Sequence, residues 1–460
     1  MKKLFAVVLI LVLALSVSGL ALASNTTDVF QTGDGNIVEI GQDGDNEATV
    51  TQVGDSNDAA ITQDGENDVN VFQDGDDNTA SVTQDGQGNE AEVNQVGTDD
   101  GNIANVFQTG NNNTAVITQV GEGYRAALGI SANNEATITQ AGDGNEAEIS
   151  QSAGAAFLAA AVSSQNTASI TQEGDGNEAE ISQSAGAAFL AAAVSSQNTA
   201  SITQEGEGNE ANINQNAGKA LIGLGIDTIG NEASVLQQGD DHKAFVTQYG
   251  SGNTVGLTQG DSGSEDYASI YQEGSDNNAL VSQPGQQNRL VVWQDGDRNK
   301  ATVRQNNKNN ATIIQDGDDN EADLFQRRMK KAYIEQDGDR NYAKVNQGRE
   351  SYAGSLEGHI YQYGNDNKAY IKQEDEGNNA DIWQRGNGNY ADIYQGSSDS
   401  YAKINQDRTS WWNPVGNNVA KISQDAGTEN TATIDQIGAG NYADVSQVGS
   451  NNTVNVIQNN

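Results

Sequence analysis

Residues 46–54 read Asn46-Glu47-Ala48-Thr49-Val50-Thr51-Gln52-Val53-Gly54, and the phrase returns as Asn89-x-Ala91-x-Val93-x-Gln95 before Gly97. It recurs as Asn145-x-Ala147-x-Ile149-x-Gln151, Asn299-x-Ala301-x-Val303-x-Gln305 and Asn441-x-Ala443-x-Val445-x-Gln447. Scanned in every register, the chain holds about 35 copies at a basic period of about 11 residues. The constant positions are two apart, the period at which strand side chains return to one face. The positions between them (Glu47, Thr49, Thr51; Lys300, Thr302, Arg304) are polar and variable, which suits a solvent-facing row. Copies are separated by segments such as Asp43-Gly44-Asp45 and Asp316-Gly317-Asp318. Glycine supplies positive φ and Asp hydrogen-bonds its own backbone, so these are read as tight turns. Each copy is one short strand and one turn, and the fold class is all-β.

The irregular spacings say how many strands make a coil. Numbered by their terminal glutamines from Gln31, the strands before one-residue deletions end at Gln42, Gln63, Gln305 and Gln326, all even. The large insertions follow Gln119, Gln151, Gln183 and Gln215, all odd. Two strands per coil would gather each set on one edge, whereas three would scatter both. The sequence therefore predicts a β-solenoid with a flattened two-strand coil of about 22 residues and cross-β stacking.

The interior follows from the same phase. Ala and Val/Ile fill the centre of each coil, and stacking sets Asn on Asn and Gln on Gln. A side-chain amide carries both a donor and an acceptor, so identical amides can satisfy one another along a stack, and a carboxylate cannot. The ladder is marked by Asn46 and Gln52, Asn89 and Gln95, Asn145 and Gln151, Asn177 and Gln183, Asn299 and Gln305, Asn389 and Gln395, and Asn441 and Gln447. Its role is structural, with no catalytic, cofactor or metal residue among them.

Composition narrows the function. The chain has 460 residues, with 64 Asp+Glu against 23 Lys+Arg, a net charge of −41, and no cysteine. That excludes disulfides, thiolate nucleophiles and cysteine metal sites. Two histidines, His242 and His359, offer little for a histidine metal centre, and the charge repels nucleic acid. Residues 1–23 read as a secretory signal: Lys2 and Lys3, the apolar run Leu4 to Val17, then Ala21-Leu22-Ala23. After its removal no transmembrane segment is expected, and 24–460 forms one continuous run of repeats. The mature chain opens directly on Asn25-x-Thr27-x-Val29-x-Gln31 and closes on Asn452-x-Val454-x-Val456-x-Gln458. Solenoids that remain monomers carry caps, and an uncapped strand is a template for another chain. Head-to-tail addition at these end strands (Asn25, Val29, Gln31; Asn452, Val456, Gln458) gives a filament.

Gln-x-Gly-x-x-Asn-x-Ala-x-Val/Ile-x-Gln in tandem behind a signal peptide resembles the curlin repeat of bacterial curli. The clearest matches run from Gln84 to Gln95, Gln140 to Gln151, Gln172 to Gln183, Gln384 to Gln395 and Gln436 to Gln447. The resemblance covers nearly the whole mature chain. It implies a secreted subunit, exported unfolded, that polymerises with itself at the cell surface as functional amyloid of the biofilm matrix. Curli-type export and nucleation factors are its implied partners.

Some features break the monotony. Residues 143–174 and 175–206 are identical. Apolar insertions lie near 120–133, 152–165, 184–197 and 216–230, for example Ser152-Ala-Gly-Ala-Ala-Phe157-Leu-Ala-Ala-Ala-Val162, and parity places them on one edge. Arg125 and Lys219 are the only basic residues between the signal and position 240, and 19 lie beyond it. The four tryptophans and nearly all tyrosines share that second half. Arg327-Arg328-Met329-Lys330-Lys331 reads as a solvated basic turn, and Trp411-Trp412-Asn413-Pro414 as an inserted loop.

Other classes fit less well. A monomeric adhesin or ice-binding solenoid would need a regular outward row, and the row begun by Thr49 and Thr51 or Thr137 and Thr139 is broken by Glu, Lys and Asn. A calcium-binding solenoid is suggested by acid turns such as Asp74-Gly75-Asp76-Asp77, yet neither EF-hand spacing nor a nonapeptide roll is present. An enzyme would need convergent acids or a His-lined cleft.

Overall fold

The computed structural model describes residues 24–97, 101–121, 130–153, 156–157, 162–184, 188–189, 194–216, 226–227, 230–260, 265–348, 356–407 and 416–460. The leader at 1–23 and the Trp411-Trp412 loop lie outside these residues. Every regular element among them is a β-strand. The chain divides into two compact units: Met1–Asp240 with Thr247–Gly252, and Asp241–Val246 with Asn253–Asn460.

In the first unit each strand segment of a repeat skips the next repeat and pairs with the one after, the long strands Asp58–Asp74 and Thr79–Val96 each containing two such segments. Thr26–Thr32 pairs in parallel with Glu47–Val53, Gln31 opposite Gln52, while Ile37–Gly44 pairs with the start of Asp58–Asp74. A strand that bonds its second neighbour is one of two in a coil, so the solenoid predicted from the spacings is the one found. The register step absorbs insertions without shifting phase. Gln31 and Gln52 are 21 residues apart, and Gln151 and Gln183 are 32 apart. In-register pairing keeps Ala on Ala and Ile on Ile, as in Ala147 on Ala179 and Ile149 on Ile181. These side chains are essentially inaccessible to water, and they make a core only two apolar residues deep per strand.

The inserted segments build a ladder of their own. Ile130–Ala132, Val162–Ser164, Val194–Ser196 and Ile226–Asp227 pair in that order as a parallel four-stranded sheet. Ala156–Phe157 and Ala188–Phe189 form a two-stranded one.

The second unit repeats the plan. Tyr267–Ser275 pairs with Arg289–Asp295, Thr254–Gln259 with Asn278–Gln283, and so on to Thr431–Ile437 with Thr453–Asn459. Its turns are partly ionic. Arg298 makes a two-pronged contact to Asp319 at 2.7 and 2.9 Å, and Arg340 makes one to Asp366 at 2.8 and 3.0 Å. Fully solvated pairs of this kind add little stability each, but they remove the like-charge repulsion that stacked Asp turns would carry.

The turns differ from the sequence reading in one respect. Turn aspartates bond the neighbouring coil rather than their own backbone: Asp55 Oδ1 accepts the N–H of Asp34, and Asp175 Oδ1 that of Asp143. Stacked turns expose an N–H of one coil to the carboxylate of the next, at 2.7 and 2.8 Å in these two cases. Close stacking also demands glycine. Gly174 has φ 107°, and a Cβ there would collide with the Gly206 carbonyl.

Gly174→Ala is therefore expected to destabilise the first unit by more than about 1 kcal/mol, read as a lower urea midpoint. Gly176→Asn, at φ 64° with open space around the missing Cβ, should be nearly neutral.

Candidate functional site: amide rows and open edges

Each unit carries two glutamine rows, one per sheet. In the first unit one row runs Gln31, Gln52, Gln73, Gln95, Gln119, Gln151, Gln183 and Gln215, each Nε2 donating to the next Oε1 at 2.7–2.9 Å. From Gln52 onward the second proton of each amide crosses the coil to a backbone carbonyl of the opposite strand. Gln52 donates to Ile37 at 3.0 Å, Gln151 to Glu135 at 3.0 Å and Gln183 to Thr167 at 3.1 Å. One side chain thus ties coil to coil and sheet to sheet. The net worth of each bond is only about 1 kcal/mol, but a buried amide left unpaired costs more than that.

Asparagine rows run in the other sense. Asn46 donates its backbone N–H and Nδ2 to Asn25 Oδ1 at 3.0 and 3.4 Å. Asn177 does the same to Asn145 at 3.0 and 3.2 Å, and its Nδ2 reaches the Gly206 carbonyl at 2.8 Å, which staples the turn. Glutamines therefore donate toward later coils, and asparagines toward earlier ones. Asn89 donates to Asn67, and Asn145 to Asn113. In the second unit Asn299 donates its N–H to Asn277, Asn389 to Asn367 and Asn441 to Asn418. Gln305 donates to Gln326 and Gln395 to Gln424, and Gln447 accepts from Gln424.

All of the named interior residues fall on the same sheet of their unit. The two-strand coil implies a twin row whose residues were not among the markers: Gln63, Gln84 and Gln172 in the first unit, and Gln294, Gln315 and Gln384 in the second. Its signal was the same period carried by the alternate strands.

In the second unit the twin asparagine row changes residue type. His242, Asp266, Lys330 and Ser400 stand where Asn is otherwise found, and all are buried. Ser400 Oγ accepts the Asn430 N–H and so stands in for an amide oxygen. Lys330 donates its backbone N–H to Asn309 Oδ1, and loss of hydration pushes its ammonium below the usual lysine range, opposed by Glu376. The basic turn at 327–331 is thus not wholly solvated as expected. Burial of the strand start carries Lys330 inward, while Lys331 stays outside and pairs with Glu357 at 3.0 Å.

Asp266 is the most constrained of these. Its backbone N–H goes to His242 Nδ1 at 3.2 Å, and its Oδ1 accepts both amide donors of Asn288. Its Oδ2 makes no hydrogen bond and lies 3.6 Å from the same Nδ1. An acceptor facing an acceptor favours a proton on the acid, and burial pushes Asp266 up from 3.8 to about 7 despite the stabilising bonds from Asn288.

Two of the rows end without a further amide at Asn25–Gln31 and at Asn452–Gln458, whereas Thr27 Oγ1 closes the row at Gln42 Oε1 and Asn460 Nδ2 closes the one at Asn441 Oδ1, each at 2.9 Å. Val29 and Gln31 are half-buried and Asn25 is exposed, although Ala48 and Val50, one coil inward, are 0% and 1% exposed. Asn452, Val456 and Gln458 are likewise half-buried. Among the described residues no amide precedes Gln31 to donate to its Oε1. None follows Gln447 or Gln458 to accept a proton along the row.

Seven segments match the curlin associated repeat: residues 44–65, 66–97, 132–155, 164–187, 230–260, 263–296 and 427–459. No curated protein matches the chain.

Two outcomes follow from the rows. Gln183→Glu keeps the shape but removes both donors and sets a charge against Gln215 Oε1. It should cost about 3 kcal/mol at neutral pH and less in acid, measured by urea unfolding. For Asp266 the folded state holds a proton that the unfolded chain has released between pH about 4 and about 7. Its contribution is therefore full below that window and lost as pH rises through it. Asp266→Asn should raise the urea midpoint at pH about 8 and leave it unchanged at pH about 4.

Proposed function

The chain is a curlin-family protein, and on that premise we propose that it is a secreted structural subunit that polymerises head to tail into curli-like amyloid fibres of the extracellular matrix. The curlin associated repeat marks a structural family rather than a catalytic one. The observation that carries the finer reading is the directional match between the open edges. The coil at Asn25–Gln31 offers a Gln oxygen and Asn donors. The coils at Gln447 and Gln458 offer Gln donors, and Asn452 offers an oxygen. A second copy laid in register would satisfy each of these with the bonds already repeated inside the chain. It would also bury Val29 and Val456 as Val50 is buried. The partner is thus the chain itself, in one orientation, with export and nucleation factors of the curli type serving delivery and initiation at the cell surface.

Residues 24–460, purified unfolded and diluted into buffer, should assemble with thioflavin fluorescence and a meridional spacing of about 4.8 Å. Preformed fibres should abolish the lag. Assembly should quicken with added salt, because every subunit carries a net charge of −41 before leader removal. Val456→Asp should slow elongation without unfolding the interior coils. A chain that stays monomeric at high concentration, and that fibres do not seed, would overturn the reading in favour of a monomeric adhesin or binding solenoid.

A further inference from the structure

The second unit carries tyrosines in a spacing that its packing does not need. Tyr342–Gln347, Lys368–Gln373 and Tyr390–Gln395 are successive strands of one sheet. Tyr342, Tyr370 and Tyr390 project from its outer, half-exposed face. Their rings form a zigzag with centroids 5.4 Å apart for Tyr342 and Tyr370, and 5.5 Å for Tyr370 and Tyr390, tilted by 43° and 38°. At this distance and tilt the ring edges are in contact. Proton acceptors stand beside the outer two rings: Tyr342 donates its hydroxyl to Asp323 at 2.8 Å, and Tyr390 to Asp392 at 3.3 Å.

Those carboxylates matter because a phenol that loses an electron must also lose its proton. Burial and the neighbouring carboxylate both hold Tyr342 and Tyr390 in the phenol form, Tyr390 up to about 12. At neutral pH, then, oxidation goes through the neutral phenol, with the proton handed to the acid already bonded to it. The radical formed carries spin on the carbons ortho to oxygen, and the next ring in the zigzag is centred only 5.4–5.5 Å away.

We propose that the Tyr342–Tyr370–Tyr390 row is a site of oxidative cross-linking, in which hydrogen peroxide acting through a peroxidase joins two neighbouring rings of one chain. Each ring gives up one electron and its phenolic proton. The two radicals form a carbon–carbon bond between ortho carbons, and the two displaced ring hydrogens return to the oxygens as the rings regain aromaticity. Two electrons and two protons leave in all, and they reduce one peroxide to two waters. The bond ties adjacent coils covalently along the stacking direction. Because both rings belong to one chain, the reaction does not require polymerisation, and the two proposals fail separately.

The test treats the folded full chain with hydrogen peroxide and a peroxidase, followed by digestion and mass mapping. The expected product is a linked peptide pair joining Tyr342 with Tyr370, or Tyr370 with Tyr390, two hydrogens lighter than the sum. Tyr370→Phe, at an outward half-exposed position, should remove both links, and the reacted wild-type chain should unfold at higher urea than the unreacted one. The proposal is overturned if no such pair forms, if the urea-unfolded chain gives the same pattern, or if Tyr370→Phe leaves the links in place. It is equally overturned if the products are dominated by Tyr442, which is 60% exposed, joined between chains.

Discussion

A primary amide one coil above another, at the inter-strand spacing, can give a hydrogen bond to the amide ahead and take one from the amide behind. The rest of this fold depends on that reciprocity. A two-strand coil is too thin to bury much apolar surface: one Ala and one Val or Ile per strand leave the coil ends to be filled by polar groups. Any buried polar group must be satisfied, and in a stack of identical coils the partner must be the same residue. Glutamine and asparagine meet that condition indefinitely. Ionised glutamate and aspartate, which only accept, and lysine, which only donates, do not, and where aspartate, lysine and the shorter serine enter the twin row of the second unit they do so with local compensation. Ser400 lends its oxygen, Lys330 keeps its backbone donor in the row, and Asp266 is set against His242.

The outer faces solve a different problem. Identical repeats stack like charges, and in the first unit Glu148 lies against Glu180 in the next coil, which raises Glu180 chiefly by burial and then by that neighbour. The described residues there contain no basic side chain to offset it. The second unit alternates Arg298, Asp319, Arg340 and Asp366 up one turn edge, so repulsion becomes attraction at the same spacing. Its tyrosines fill the outward positions and hold carboxylates by their hydroxyls. The two halves of the sequence thus use one interior and two surfaces.

Much of the architecture was legible because it is periodic. Alternation at Ala48 and Val50 gave strands, and the parity of deletions and insertions gave the coil, since any change of length must be absorbed at a turn. Phase also fixes which residues stack, because in-register parallel pairing leaves no other choice. What could not be read was orientation. Nothing in a period of two says that Gln52 donates forward while Asn46 donates back. The turn aspartates were assigned to their own backbones because a single turn viewed alone offers no other donor. The breaks at His242, Asp266 and Lys330 went unnoticed since each looks like an ordinary polar residue until its phase in the twin row is counted. The four-stranded ladder of the insertions rests on backbone pairing, which apolar composition does not specify.

The opposed sense of the two amide rows has a consequence for the electric field of a long stack. Side-chain dipoles aligned in one direction would add with every coil, as peptide dipoles do in a helix. Here the glutamine dipoles point one way and the asparagine dipoles the other, in every coil of a unit that carries both. Backbone groups in a sheet already alternate and nearly cancel. Lengthening the stack therefore adds cohesion without its side-chain amides building up a potential between the tips.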